Sequence, residues 1–475
     1  MRIALLTAEA VPFAKTGGLA DVAGALPKSL RDNGVDSFLI LPLYEQIDRR
    51  HLRHIALDHV LVDWMGGKRA IRVWYSDAAG GAPAFLIEDQ DYFGRPGIYG
   101  YRDDHERFAF FCRSALEIMH HLGAAPDVVH LNDWHCGFAA VELFARRYWD
   151  GYFRNTRTIF SIHNLAYQGT FDPGDLWKLG FGAQDQVDAF LSNGSASALK
   201  AGLWSSDALT AVSPTYAREI QSPEHGNGLD WLLRMRSSRL IGIANGVDYD
   251  VWNPQTDPQI PAHFSVDDLQ GKRECKRELL RRFSLPENLD RPIIANISRL
   301  TSQKGFDLIQ QAAWQILETG AYFIALGAGA QVYEDFLQSL RDHAPSQVGI
   351  YKGMNDSLAH LIEAGADIYL MPSKFEPCGL NQMFSMRYGT IPVVRATGGL
   401  EDTVEDFNRA RRTGTGFKFR QYSAHSMLEK IYEALYCYVE PETWATLQRN
   451  GMRVDHSWTA AARKYIGVYE AVSHM

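Results

Sequence analysis

Two turns in the C-terminal half carry the strongest chemical signal. One apolar run ends in Ser298-Arg299-Leu300-Thr301-Ser302-Gln303-Lys304-Gly305, and a later one ends in Ser373-Lys374-Phe375-Glu376-Pro377-Cys378-Gly379-Leu380. The guanidinium of Arg299 and the ammonium of Lys304 suit a diphosphate, while the carboxylate of Glu376 suits sugar hydroxyls. Residues this far apart in sequence converge if both turns follow strands of one open parallel sheet, because ligands bind outside the carboxyl ends of such strands. In the N-terminal half, Lys15-Thr16-Gly17-Gly18-Leu19-Ala20-Asp21-Val22 follows the first apolar run. Paired glycines there let backbone N–H groups approach a ligand, a helix N-terminus adds partial positive charge, and Lys15 adds a full one. Asp133 and His163 sit in later turns of the same kind, His130-Leu131-Asn132-Asp133-Trp134 and His163-Asn164-Leu165-Ala166-Tyr167-Gln168-Gly169. Each has a plainer reading as well: Gly17-Gly18 as a tight turn, Asp133 or His163 as a helix cap. No Gly-x-Gly-x-x-Gly or Walker loop is present, so nothing supports a dinucleotide or a nucleoside triphosphate.

The elements that must position these residues are short apolar runs alternating with helical-period segments, the pattern of an α/β fold made of βαβ units. Strands are expected at 3–6, 37–41, 84–87, 127–131, 158–162, 208–212 and 241–244. A second series is expected at 293–297, 322–326, 348–351, 368–371 and 391–394. Between the series, Asn245-Gly246-Val247-Asp248 and Trp252-Asn253-Pro254-Gln255-Thr256-Asp257-Pro258 form a Pro- and Asp-rich stretch of poor periodicity, read as a hinge. Further Gly-bearing turns, Gly327-Ala328-Gly329 and Thr397-Gly398-Gly399, open later helices.

Composition narrows the partners. The chain has 475 residues, 46% hydrophobic and 22% charged, with a net charge of −8. It is long enough for two or three domains, and no global basic field draws it to nucleic acid or to an anionic membrane. Five cysteines without a Cys-x-x-Cys pair point to a reducing compartment, and the cytoplasm is expected. No run approaches a membrane span. No metal-ligand spacing is found, and no metal or cofactor is expected.

The motifs quoted above, together with Leu199-Lys200-Ala201-Gly202-Leu203, Val212-Ser213-Pro214-Thr215-Tyr216 and Arg387-Tyr388-Gly389-Thr390-Ile391-Pro392, resemble the bacterial glycogen synthase and plant starch synthase family, glycosyltransferase family 5. The matches run in order through nearly the whole chain. The resemblance implies the GT-B architecture, two Rossmann-like doubly wound domains facing across a deep cleft. They would comprise 1–247, completed by the C-terminal helix 458–475, and 253–457, the nucleotide-sugar-binding domain, closing about 245–254 when donor binds. It implies transfer of glucose from ADP-glucose to the non-reducing 4-OH of an α-1,4-glucan, with retention and without metal.

Carried over residue by residue, Lys15, Gly17, Gly18 and Asp21 would belong to donor binding on the N-terminal side. Arg299 and Lys304 would neutralise the diphosphate, and His163 would contact the glucose near its 6-OH. Asp133 would lie near the anomeric centre, stabilising charge or only positioning the sugar. Glu376 would bind the 3- and 4-hydroxyls, Cys378-Gly379-Leu380 would shape the phosphate pocket, and Asn245, Thr397 and Gly398 would line the substrate site. Met354 stands where many relatives carry an aromatic residue near the nucleobase, and Asn381 stands where many bacterial relatives carry Thr. Two other readings remain open: use of UDP-glucose or a small acceptor, and a non-catalytic glucan-binding protein. Oligomeric state is not legible.

Overall fold

The computed structural model describes residues Met1–Met475. The chain divides into two units, Met1–Gly246 with Trp458–Met475, and Val247–Ser457. The first contains twelve strands: β1 (Arg2–Leu6), β2 (Asp36–Pro42), β3 (His54–Trp64), β4 (Gly67–Ala79), β5 (Ala82–Glu88), β6 (Val128–Asn132), β7 (Arg157–Ile162), β8 (Thr170–Phe171), β9 (Leu191–Ser192), β10 (Ser195–Ser197), β11 (Ala208–Ala211) and β12 (Leu240–Gly242). Nine of them form one sheet in the order β12-β11-β7-β6-β1-β2-β5-β4-β3, and β8, β10 and β9 form a small separate one. From β12 to β5 the large sheet is parallel, with β1 between β2 and β6. The strand order therefore reverses beside β1, the place where doubly wound sheets bind ligands.

The antiparallel edge of this sheet departs from the expected pattern. β3 and β4 pair through Met65-Gly66, both with positive φ as a two-residue type I′ hairpin requires. Sequence reading placed only one strand between 52 and 88. The hairpin is largely solvent-facing, and Lys68, Arg69 and Arg72 interrupt the apolar alternation in β4, so the period-2 signal is diluted where only one face is covered.

The second unit has one parallel sheet of β13 (Ile293–Ile297), β14 (Tyr322–Gly327), β15 (Val348–Lys352), β16 (Ile368–Met371), β17 (Ile391–Arg395) and β18 (Phe417–Phe419), ordered β15-β14-β13-β16-β17-β18. Its order reverses between β13 and β16, the strands that precede Arg299–Lys304 and Glu376. Alternate residues feed two cores. Ile294, Phe323 and Ala325 enter one, while Ile293, Ala295, Ile324 and Leu326 enter the other. Both faces are thus buried, which is why these strands read as continuous apolar runs.

The stretch expected to be a hinge is anchored within the second unit. Trp252 stacks between His360 (3.8 Å) and Phe384 (4.0 Å). Asp257 is buried, its Oδ2 accepting from Tyr388 Oη at 2.6 Å and lying 2.7 Å from His360 Nδ1. Poor periodicity here reflects anchoring by two side chains rather than by a helix or strand, and the unit begins at Val247 rather than 253.

The C-terminal helix Trp458–Ser473 belongs to the first unit, packing on the helix Gly18–Asp32 and on β6 and β7. Tyr469 Oη lies 2.8 Å from Nδ1 of His130 in β6, and His130 Nε2 lies 2.6 Å from Ser161 Oγ in β7. Burial holds the His130 imidazole down to about 3, with His163 adding to the effect. An unfolded imidazole titrates near 6.5, so between about pH 3 and 6.5 the unfolded chain binds more protons and stability falls as pH falls, by at most about 1.4 kcal/mol per pH unit for this group. Thermal unfolding should therefore show a lower Tm at pH 5 than at pH 7, with a smaller difference in His130→Gln. An undiminished difference in that variant would remove His130 as a cause.

Candidate active site

In the first unit, β1 delivers the chain into a loop organised by Glu9. The carboxylate of Glu9 is buried and accepts from the backbone N–H groups of Thr16 and Gly17, from Thr16 Oγ1 (2.7 Å) and from Tyr99 Oη (2.6 Å). The Gly17 N–H is therefore already engaged by the protein and is not a free donor for a ligand. Lys15 remains half-exposed, its Nζ 2.7 Å from Asp21 Oδ1 in the first turn of the helix that Gly18 opens. Gly17 has an extended backbone, and a Cβ built there meets nothing within 4 Å. Neither packing nor φ demands glycine at 17, and the space above it is open to a close-approaching ligand.

Asp133 and His163 follow adjacent strands and touch directly. Asp133 Oδ1 accepts the backbone N–H of His163 at 2.7 Å and that of Asn164 at 3.4 Å, while its own N–H donates to the Ser161 carbonyl. Asp133 is 7% exposed with φ 56° and ψ −176°, a region otherwise reserved almost wholly for glycine and costing about 1–3 kcal/mol. Burial pushes its carboxyl up to about 7, against the pull of the two N–H groups. Asn132 donates to the Leu6 carbonyl through Nδ2, so its Oδ1 is the acceptor for His163 Nε2 at 2.9 Å. Burial lowers the His163 imidazole to about 4. It is neutral at physiological pH, with the proton on Nε2 and a lone pair on Nδ1.

In the second unit the expected cation and carboxylate meet. Lys304 Nζ lies 2.5 Å from Glu376 Oε2, and Ser373 Oγ donates to the same oxygen at 3.1 Å, so both contacts leave Oε1 aside. Glu376 is buried and Lys304 partly so. Arg299 is exposed and donates to Gln303 Oε1 at 3.2 Å, and the Gln303 carbonyl accepts the N–H of Lys374 at 2.8 Å. The two loops are thus stitched together beside the topological switch point.

Glycines allow that closeness. A Cβ on Gly305 would lie 2.2 Å from the Pro372 carbonyl oxygen, and one on Gly398 would lie 1.9 Å from that of Glu376. Both also have positive φ. Gly327 and Gly329 abut the carbonyls of Ser298 and Leu300 in the same way, so their smallness serves packing. Thr397 occupies the position before the helix Gly398–Thr403 without a side-chain capping bond, and the Gly399 N–H donates to the carbonyls of Glu376 and Pro377. The opening of that helix braces the Glu376 loop, and this N–H is not available to phosphate. Cys378 is buried, Gly379 is left-handed, and Leu380 leads into the helix Asn381–Arg387. Met354 is 86% exposed after Gly353, packing against little, and Asn245 is buried with no partner for Oδ1. No three His, Cys, Asp or Glu side chains converge as metal ligands would.

Sequence reading did not single out Glu9, Tyr99, Asn132 or Ser373. Glu9 had a usable signal, a carboxylate directly after the first core strand. Tyr99 had none, because it comes from a distant loop.

Two doubly wound α/β units, with a diphosphate-suited cation pair and a sugar-suited carboxylate at the switch point of the second, define a glycosyltransferase of the GT-B fold. A family model described as the starch synthase catalytic domain matches residues 2–235, and one described as glycosyl transferases group 1 matches residues 279–451. Glycogen synthases of Geobacillus thermodenitrificans (42% identical, 99% of this chain and 97% of that one) and of Anaeromyxobacter sp. (43%, 100% of each) are similar along their whole length. The catalytic domain of starch synthase IV from Arabidopsis thaliana, solved with ADP and acarbose, superposes with a TM-score of 0.90 at 33% identity, covering 100% of this chain and 99% of that one. Sucrose-phosphate synthase from Thermosynechococcus elongatus shares the fold (TM-score 0.61, 16% identity, 99% and 98% covered). The chain belongs to the glycogen synthase and starch synthase family.

Asp133 provides a test of the site. Between about pH 4 and 7 the folded state holds a proton on this carboxyl that the unfolded state has lost, so stability falls as pH rises through that window and the cost is complete at pH 8. Asp133→Asn keeps Oδ1 as an acceptor and removes the buried charge. It should raise stability at pH 8 by roughly 2–4 kcal/mol, with little gain at pH 4. Equal Tm differences at the two pH values would refute the buried-charge account.

Proposed function

We propose that the protein elongates an α-1,4-glucan, transferring glucose from ADP-glucose to the non-reducing 4-OH with retention of configuration. The observation that carries this reading is full-length similarity to glycogen synthases and to a starch synthase solved with ADP and acarbose. The residues at the strand ends fit the required chemistry.

In this reading the C1–O bond to the diphosphate breaks first. Arg299 and Lys304 meet the negative charge that grows on the departing ADP, which is where preorganised cations lower a barrier most. The acceptor 4-OH then attacks the oxocarbenium-like glucose on the face that ADP leaves, and its proton passes to a phosphate oxygen. The route calls for no enzyme nucleophile and no metal ion. Glu376, oriented by Lys304 and Ser373, accepts hydrogen bonds from the glucose 3- and 4-hydroxyls. Neutral His163 accepts one from the 6-OH through Nδ1, because Nε2 is committed to Asn132. Asp133 holds the His163 backbone and so positions it. Lys15, on the loop that Glu9 orders, supplies a cation to the donor, with Gly17 giving room for close approach. Gly379 and Thr397–Gly398 set the backbone of the phosphate pocket. Met354 would sit beside the nucleobase, and Asn245 offers its spare acceptor to substrate.

The deciding measurement is the initial rate of ADP and of UDP release, each sugar nucleotide supplied in turn with glycogen or a short maltodextrin. Glucan-dependent ADP release is expected; UDP release, or indifference to glucan, would overturn the assignment. Lys304→Ala and Glu376→Gln should each lower turnover by about 100-fold or more while the far-UV spectrum stays native. Near-normal turnover in either would remove that residue from the site. Gly17→Ala should leave Tm unchanged and raise the KM for ADP-glucose, since the added methyl meets only ligand space; an unchanged KM would show that the donor does not approach there.

A further inference from the structure

The second unit also has a cavity at the opposite end of its sheet. It is a cleft open to solvent with room for about 630 Å³, lined by residues just before the strands, Pro292, Thr319 and Asp367, and by the helices Gln270–Arg282, Ala424–Tyr438 and Pro441–Arg453. Arg299, Lys304 and Glu376 lie beyond the other ends of those strands. The volume is typical of a small-molecule site.

Its charges are unbalanced in a particular way. Three cations, Lys272, Arg273 and Lys276, face two carboxylates, Asp290 and Asp367. Asp367 takes both Lys276 Nζ at 2.7 Å and the Ile293 N–H at 2.8 Å on Oδ2. Lys276 spends a second proton on Tyr438 Oη, leaving a third. Lys272 is 6% exposed and has no carboxylate partner. Its Nζ bonds only neutral oxygens, Thr390 Oγ1 at 2.7 Å, the carbonyls of Ala364 and Tyr388 at 3.0 Å and that of Glu363 at 3.5 Å. Burial lowers this ammonium to about 8, as expected for a cation short of counter-charge. Arg273 is exposed and tied only to Asp290, itself exposed, a pairing weak enough to exchange for a better anion. The walls supply the other half of a recognition site. Tyr438 and Trp444 pack edge to face at 5.1 Å, with Leu289, Leu435 and Pro292 beside them.

We propose that this cavity binds a small phosphate monoester carrying a ring, the phosphate reaching Arg273 and the third proton of Lys276 and the ring lying on the Tyr438–Trp444 wall. A nucleoside monophosphate and a sugar phosphate share that chemistry. The full-length protein, with its active site held by saturating ADP, is titrated calorimetrically with adenosine 5′-monophosphate, with ribose 5-phosphate and with inorganic phosphate. At least one ester should bind with a Kd of millimolar or below, ten-fold or more tighter than inorganic phosphate, and the two ester arms identify which source is preferred. Arg273→Ala should weaken that binding ten-fold or more, whereas Arg281→Ala, an exposed arginine on the same helix outside the cavity, should not. Absence of binding by both esters, equal binding of inorganic phosphate, or indifference to Arg273→Ala would overturn the proposal.

Discussion

Parallel strands place all their carboxyl ends on one edge, and the loops leaving that edge must share a small space. In the second unit they do so at backbone distance, with glycines turned against the carbonyls of neighbouring loops where a single methyl would collide. This crowding fixes the ion pair. Lys304 arrives after β13 and Glu376 after β16, and each is held by a loop that cannot move without displacing the other. Helix-opening N–H groups that look from sequence like ligand donors are drawn into the same bracing, as the Gly399 contact with the Glu376 loop illustrates.

The first unit reaches a comparable rigidity by a different means. Glu9 gathers four donors, three from the loop it orders and one from Tyr99, and Asp133 accepts both a near-forbidden backbone conformation and a buried carboxyl. These costs concentrate where chemistry is expected, next to His163, and they are offset by hydrogen bonds to the following strand's turn. Strain and burial persist where the surrounding structure over-determines them.

Much of this was legible in the sequence because it rests on patterns that sequence carries directly. Parallel strands buried on both faces read as apolar runs, and the turns after β1, β6, β7, β13 and β16 are marked by Gly, Asp, His, Arg and Glu in types that rarely serve packing alone. The β3–β4 hairpin escaped because its exposed face carries charge, and the anchored segment around Trp252 and Asp257 escaped because no period announces a stacked indole. Tyr99 shows a third limit: its role depends on a distant loop arriving above β1, a tertiary fact with no local spelling. Gly17 reads as an N–H donor in the sequence, whereas in the structure that N–H is engaged by Glu9.

The helix Trp458–Ser473 has a consequence for how the protein is made. It completes the first unit from the far end of the chain, so the second unit is, topologically, an insertion. On the ribosome the residues up to Gly246 emerge first but lack the helix that covers β6 and β7 until Trp458–Ser473 has been made, whereas Val247–Ser457 is uninterrupted and can close as it appears. In that interval the apolar faces of β6 and β7 stay uncovered, and they are the surface on which a chaperone would act or an aggregate would begin.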